Sequence, residues 1–261
     1  MKISATIITF NEESNIRAAC ESIAWADEIV VVDSNSTDAT LDIAAACGAR
    51  VIVNAWPGFG AQKQFAVDQA KHEWIFSIDA DERVSDELRD SIQRLGDKPQ
   101  ADGYLISRRT FYQNRWIRGG GWYPDRQLRL FDRTKGHWKQ RHIHESVAMD
   151  PGARVANLSG DLLHYTSPGA AHHHRMIGER YAPLAAQQMF EEGRRTSVAG
   201  VASAGPSAFI RSFILKGGFR DGFAGFTIAS FAAHHAFLKH LLLWEKQATD
   251  STDKTRIRKK D

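Results

Sequence analysis

The sequence predicts an α/β fold built on a mostly parallel sheet, and three observations carry that prediction. Apolar runs rich in Ile and Val alternate with helix-patterned segments through the first hundred residues. Those runs are near-continuous, as expected for strands that helices cover on both faces. Short turn segments separate them at the pace of βαβ units.

Taken in order, ISATIITF (3–10) reads as a strand and ESNIRAACESIAWA (13–26) as a helix. EIVVVDSNST (28–37) is a strand, DATLDIAAACG (38–48) a helix closed by Gly48, and ARVIVNAW (49–56) a strand. AQKQFAVDQAK (61–71) is a helix and EWIFSIDAD (73–81) a strand. SDELRDSIQRL (85–95) is a helix capped by Ser85, with Asp86 and Glu87 in its first turn. Ligands of such sheets bind beyond the strands' C-terminal ends, and Asp33 and the cluster Asp79, Asp81 and Glu82 all lie there. Clustered carboxylates oppose one another's ionisation, so the cluster asks for a positive partner.

Beyond residue 101 the strands shorten and mix with Arg, Trp and Gly: 102–113, 126–134, 136–147 and 153–166. Residues 168–194 read helical and end at Gly193, and the Gly/Ala/Ser stretch 198–206 reads as a linker. The apolar run from Gly222 to Ala233 spans 12 residues before histidines interrupt it, too short to cross a membrane. Two arrangements fit residues 206–247. One is a helix pair lying in a membrane interface with Arg211, Lys216, Arg220 and Lys239 near lipid phosphates; the other is a hairpin packed on the protein itself. The last residues, 248–261, are polar and expected to be disordered.

The chain has 261 residues, 43% hydrophobic and 25% charged, which is ordinary for one large soluble domain with an extension. The N-terminus reads as the start of a strand with no signal peptide. Cys20 and Cys47 lie in Ala-rich helical segments, outside any metal-binding spacing, and are expected to be free buried thiols of a reducing cytoplasm. Charge is uneven: residues 1–100 carry 9 Lys/Arg against 17 Asp/Glu, and residues 101–261 carry 25 against 14. A basic second half suits phosphates on a substrate or an anionic membrane. Helix-turn-helix, finger and aromatic RNA-binding patterns are all missing, which argues against nucleic acid.

ATIITFNEESNI (5–16), IVVVDSNSTDAT (29–40) and SIDADERV (77–84), at these separations, resemble the N-terminal half of family 2 glycosyltransferases with a GT-A fold. WYPDRQLRLFDR (122–133), HES (144–146) and LLHYT (162–166) resemble the branch of lipopolysaccharide core glucosyltransferases. The resemblance implies a Rossmann-like nucleotide-diphospho-sugar transferase domain with a C-terminal helical extension. Residues 1–100 would be its nucleotide-sugar-binding half, 101–167 its acceptor-binding and catalytic half, and 168–247 a helical region.

It also implies roles. Asp81 would bind a divalent cation, Mg²⁺ or Mn²⁺, with Asp79 on the same strand face nearer the ribose or the metal's water and Glu82 behind them. A cation bridging the phosphates stabilises the departing nucleoside diphosphate, and hard cations prefer carboxylate oxygens. Asp33 would accept the uracil N3–H, with Thr9, Asn11 and Glu12 lining the same pocket. Asn11 and Asp38 have competing readings as helix caps. Lys63 reads either as a contact to the uridine or diphosphate or as a solvated helix lysine. His164 reads as a third metal ligand or a core histidine.

This group of transferases is inverting, so a base must sit across the sugar from Asp81. Glu145 is the preferred base and Asp125 an acceptor-positioning group; the competing reading pairs Glu145 with Arg141 or Arg126. His172–His174 and the set His137, His142, His144 lack zinc-helix spacing and read as surface or acceptor-side residues. Arg108, Arg109, Arg118, Arg126 and Arg129, interleaved with Trp116, Trp122 and Tyr123, suit an acceptor carrying sugar and phosphate. Gly119–Gly121 reads as a mobile loop over the site. The expected activity is transfer of a sugar, glucose by preference, from a UDP-sugar to a lipopolysaccharide-core or other lipid-linked acceptor. Its place would be the inner face of the cytoplasmic membrane. The rivals are a polyprenyl-phosphate glycosyltransferase, a sugar nucleotidyltransferase and a noncatalytic nucleotide-sugar-binding protein.

Overall fold

The computed structural model describes residues 1–139, 145–165 and 169–257, with side chains through Thr249. In chain order the first elements are β1 (Ile3–Thr9), α1 (Ile16–Ser22), β2 (Glu28–Asp33), α2 (Thr40–Ala46), β3 (Arg50–Val53) and α3 (Phe59–Gln69). Then come β4 (Trp74–Asp79), β5 (Glu82–Val84), α4 (Asp86–Gln93), β6 (Gly103–Tyr112), β7 (Arg115–Trp116) and β8 (Asp125–Asp132). β9 (Gly136–Trp138), β10 (Val147–Met149) and β11 (Val155–Tyr165) complete the strands. The helices α5 (Ala170–Met176), α6 (Ala182–Glu191), α7 (Val198–Ile210) and α8 (Gly222–Ile257) follow.

The chain divides into two compact units, Met1–Phe111 with Pro124–Thr166, and Tyr112–Tyr123 with Ser167–Asp261. The first unit is built on a mixed sheet of order β3-β2-β1-β4-β8-β6-β11-β5. β1 pairs parallel with β2 and β4, β2 with β3, and β6 with β11; β8 runs antiparallel between β4 and β6. Every residue of β1 and β2 is buried, in keeping with their near-continuous apolar runs. Ile7, Ile16, Phe76, Ile78, Leu88, Ile106, Leu130 and Leu162 form the core beneath one face. Ser85 caps α4 as the sequence predicts, its hydroxyl accepting from Leu88 N–H at 3.3 Å.

Two features of this unit escape a local reading. β5 is a three-residue edge strand that pairs antiparallel with β11 and sets His164 opposite Glu82. The predicted strand 136–147 is instead a β9–β10 hairpin pair on either side of residues 140–144, which lie outside the described residues together with Arg141, His142 and His144. A bulge in β11 lets α4 pack on it through Gly160, whose φ is +89°. A Cβ there would stand 2.2 Å from Leu88 N. Gly160→Ala should therefore destabilise by at least about 2 kcal/mol, from backbone strain and overpacking together. A urea unfolding midpoint equal to wild type would contradict this packing.

The second unit is helical. Residues 198–206, expected as a linker, form most of α7, because small residues let it approach α8 closely. A Cβ on Gly205 would already meet Ala233 O at 3.4 Å. Ser197 caps α7 by accepting from Gly200 N–H. The predicted helix over 168–194 appears as α5, a π-helical turn at Ile177–Tyr181 and α6; the chain turns at Gly193 with φ +73°. The backbone of α8 continues helical to Ile257, past the point where the sequence predicts disorder, since extending an existing helix fixes one residue per hydrogen bond gained.

Gly119–Gly121 is held against residues 212–218 of this unit and does not hang free. Gly120 N–H donates to Lys216 O, and a Cβ on Gly119 would stand 2.6 Å from Gly217 O. His173 is half-buried, stacked on Phe231 at 4.4 Å, whereas His172 and His174 are exposed. Cys20 and Cys47 are both free. Cys20 is buried, which pushes its thiol up to about 12, while Cys47 is only half-buried.

Candidate active site

The C-terminal ends of β1, β2 and β4 open into a cavity of about 620 Å³ within the first unit. Thr9, Glu12, Asp79, Asp81 and His164, all singled out in the sequence, line it. Phe10, Trp56 and Phe59 form an aromatic part of its wall and are 55%, 48% and 40% exposed. Trp56 meets Phe59 edge-on, with centroids 4.7 Å apart. These three aromatics were missed; the signal was a large aromatic at a strand end, and two more astride Pro57-Gly58 where the chain leaves the sheet.

β4 ends at Asp79, and Asp81 sits in the turn leading to β5, so the two acids do not share a strand face as alternation predicts. The turn nevertheless aims both into the cavity. Asp81 is met by His164, whose Nε2 lies 3.1 Å from Asp81 Oδ2 while its Nδ1 faces Thr110 Oγ1 at 3.3 Å. Tyr165 N–H also donates to Asp81 O, locking β11 to the turn.

Asp79 faces the opposite environment. Its carboxylate pairs with Lys63 at 2.7 Å and Arg129 at 2.9 Å. Burial alone would raise its pKa, but the Arg129 guanidinium and the Lys63 ammonium prevail and hold it well below the usual carboxylate range. Glu82 is fully buried, accepts Asp79 N–H at 2.9 Å and shares Arg129 at 3.0 Å. Burial, chiefly, pushes its pKa up.

Lys63 is 3% exposed, with Trp138 4.9 Å beneath its ammonium, so it is no solvated helix lysine. It also reaches Glu145 at 3.7 Å, and this is the ion pair that Glu145 makes, in place of Arg126; Arg141 is outside the described residues. The sequence suggests Arg129 as a substrate-gripping arginine. It is instead 1% exposed, and among the described residues its Nε and Nη1 have no hydrogen-bond partner. An arginine inside the apolar run Leu128–Phe131 was the available signal, because a buried guanidinium needs buried acids. Arg108 grips Asp125 at 2.8 Å and approaches Glu82 at 3.8 Å. Glu145 and Asp125 are therefore the two ends of one chain of alternating charges: Glu145, Lys63, Asp79, Arg129, Glu82, Arg108, Asp125.

Asp33 and Asn11 are not among the residues that line the cavity: Asp33 is buried and Asn11 exposed. Asp33 is fully buried and accepts from Ser36 N–H at 2.7 Å and from the Ser36 hydroxyl. Asn11, at φ +54°, accepts from Thr37 N–H with its side-chain oxygen and donates its own N–H to Ser36 Oγ. The cap of α1 is Asn15 and that of α2 is Ala39, so neither Asn11 nor Asp38 is a helix cap. Asp38 instead ties the two loops by accepting from Glu13 N–H and Thr40 N–H. Ser34, next to Asp33, is what lines the cavity from β2.

Two observations bear on what the cavity holds. Thr9 Oγ1 is buried and has no hydrogen-bond partner among the described residues. Glu12 has a raised pKa, from burial first and then from the charges of Asp81 and Asp38. An acid rim with an oxygen and an imidazole side by side fits a hard divalent cation that takes its remaining ligands from substrate phosphates and water. Among the described residues no group of three or more His, Cys, Asp or Glu is arranged to hold a metal by itself.

A parallel-stranded half with acids at the strand ends, continued by an antiparallel strand and a late histidine, defines a GT-A-like nucleotide-sugar transferase fold. The mannosyltransferase PcManGT from Pyrobaculum calidifontis, described in complex with GDP-Man and Mn²⁺, has that fold. It superposes at a TM-score of 0.52 and 17% identity, over 91% of this chain and 87% of its own. The glycosyl transferase family 2 profile matches residues 4–154, and the chain belongs to that family. The lipopolysaccharide core biosynthesis glycosyltransferase LpsC of Rhizobium meliloti (strain 1021) is 32% identical over 95% of this chain and 94% of its own length. An uncharacterized glycosyltransferase of Rickettsia bellii (strain RML369-C) is 32% identical over 91% and 84%.

Proposed function

We propose that the protein is a metal-dependent, inverting glycosyltransferase that moves a sugar, glucose by preference, from a UDP-sugar to a lipopolysaccharide-core or other lipid-linked acceptor. It would work at the inner face of the cytoplasmic membrane. The observation that carries this reading is Asp81 beside His164 at 3.1 Å, in a cavity whose Thr9 hydroxyl is buried without a partner among the described residues. The relative named for lipopolysaccharide core biosynthesis supports the acceptor class.

Each part of the site has a task in this reading. Phe10 and Trp56 supply faces for the base, worth about 1–3 kcal/mol per stacked base. The loops braced by Asp33, Asn11 and Asp38 hold Ser34 and Thr9 toward the nucleotide. Asp81 and His164 would hold a Mg²⁺ or Mn²⁺ ion, whose charge would supply stabilisation of the departing diphosphate. Asp79, fixed as a carboxylate by Lys63 and Arg129, accepts hydrogen bonds from donor hydroxyls. Glu145 takes the proton of the acceptor hydroxyl as that oxygen bonds to the anomeric carbon and the bond to the diphosphate breaks. Asp125, gripped by Arg108, orients the acceptor.

The test is transfer by the purified chain from UDP-glucose to a core oligosaccharide acceptor, followed by NMR of the product. Acceptor-dependent release of UDP with an inverted anomeric centre is expected. A retained configuration would overturn the inverting assignment, and an inert UDP-sugar would overturn the donor.

A further inference from the structure

The second unit presents an unusual end. Between α7 and α8 the chain makes a π-helical turn, Arg211–Leu215, and a 3₁₀ turn, Gly218–Asp221. Ile210, Ile214, Leu215, Phe219, Phe223 and Phe226 are all exposed there, Leu215 at 76% and Phe223 at 75%. Beneath them Phe209 packs on Phe213 and Phe226, with centroids 5.4 and 5.6 Å away, so the exposed side chains stand on a built platform. A monomer has no reason to leave six large apolar side chains together in water.

The charges around this patch are one-sided. Arg211, Lys216 and Arg220 are exposed beside the apolar side chains. Asp221 is the one acid between Val198 and Trp244, and it is turned inward. Its carboxylate accepts from the backbone N–H groups of Arg118 and Gly119 at 2.8–3.0 Å. The outer surface therefore shows lipophilic side chains and cations only.

We propose that this α7–α8 turn is a docking element for an anionic lipid bilayer. Phe219, Phe223 and Leu215 enter the acyl boundary, and Arg211, Lys216 and Arg220 take lipid phosphates. The helical stretch Val198–Leu215 is 18 residues long, with mean hydropathy 1.4 and 17% of it buried, so length and composition alone would let it cross a membrane. Crossing would carry Arg211 into hydrocarbon, whereas lying in the interface leaves its charge at the headgroups. Lys239, expected among the lipid contacts, takes no part: it is half-buried, and burial, with Arg194 and Arg211 nearby, lowers its pKa. The inference rests on the reading of a membrane-borne acceptor but fixes which residues meet the bilayer.

Co-sedimentation of the full chain with vesicles tests it without donor or acceptor, so a failure here leaves the transferase reading standing. Binding to vesicles with about 30 mol% phosphatidylglycerol should be about a hundredfold tighter than to pure phosphatidylcholine, and should weaken with salt. The triple variant Leu215→Ser, Phe219→Ser, Phe223→Ser should lose that binding while keeping wild-type circular dichroism and UDP binding. Phe237→Ser, at an exposed apolar side chain further along α8, should leave it unchanged. Equal effects of the two variants, or vesicle binding by the triple variant, would overturn the assignment. So would a wild-type dimer in sedimentation equilibrium that the triple variant dissociates, because the patch would then cover a second copy of this chain.

Discussion

Arg129→Ala is expected to cost about 3–5 kcal/mol of stability, the usual consequence of removing one partner from a buried ion network. Two acids depend on this guanidinium. Asp79 lies 2.9 Å away and Glu82 3.0 Å, and Glu82 is itself fully buried. Glu82 can retreat by protonation, a direction burial already favours, but Asp79 would keep only Lys63. The loss should show as a lower urea midpoint and, in any protein that remains folded, as weaker donor binding. Arg129→Lys keeps the charge but gives up the planar fork, so it should recover part of the stability and less of the donor affinity. An Arg129→Ala protein as stable as wild type would mean that the Asp79–Arg129–Glu82 arrangement does not hold the turn.

Glu145→Gln is expected to reduce kcat by about 10²–10⁴-fold, the usual worth of a positioned general base. UDP affinity should change little, since Glu145 is not among the residues that line the cavity. Asp125→Asn provides the comparison at the other end of the charge chain. An acceptor-positioning role predicts a raised acceptor KM with a smaller fall in kcat. If Asp125→Asn instead abolishes turnover and Glu145→Gln does not, the two carboxylates exchange roles.

The parts of this molecule legible in its sequence are those written locally. β1, β2 and β4 read directly because their apolar runs are near-continuous, and α4 reads with its cap because Ser85, Asp86 and Glu87 lie side by side. The acids at the strand ends were legible for the same reason, together with the motifs that resemble family 2. What depended on distant partners was not. His164 reaches Asp81 only through the antiparallel register of β11 on β5, a strand of three residues with no periodicity to reveal it. Arg129 and Lys63 look like surface cations until Asp79 and Glu82 are brought beside them. Residues 198–206 look like a linker because Gly200, Gly205 and Pro206 interrupt them with poor helix formers, and close packing on α8 holds them helical. The apolar turn after α7 was visible in composition, but which of its side chains face outward was not.

The most direct measurement is calorimetric titration of UDP into wild type and Asp81→Ala, each with and without Mn²⁺. UDP binding that requires Mn²⁺ and disappears in Asp81→Ala is the predicted result, because the proposal has Asp81 and His164 supply the protein's share of the cation's ligands. UDP binding that needs no metal and survives Asp81→Ala would contradict the role given to this turn. Preference for another nucleotide would contradict the proposed uridine donor.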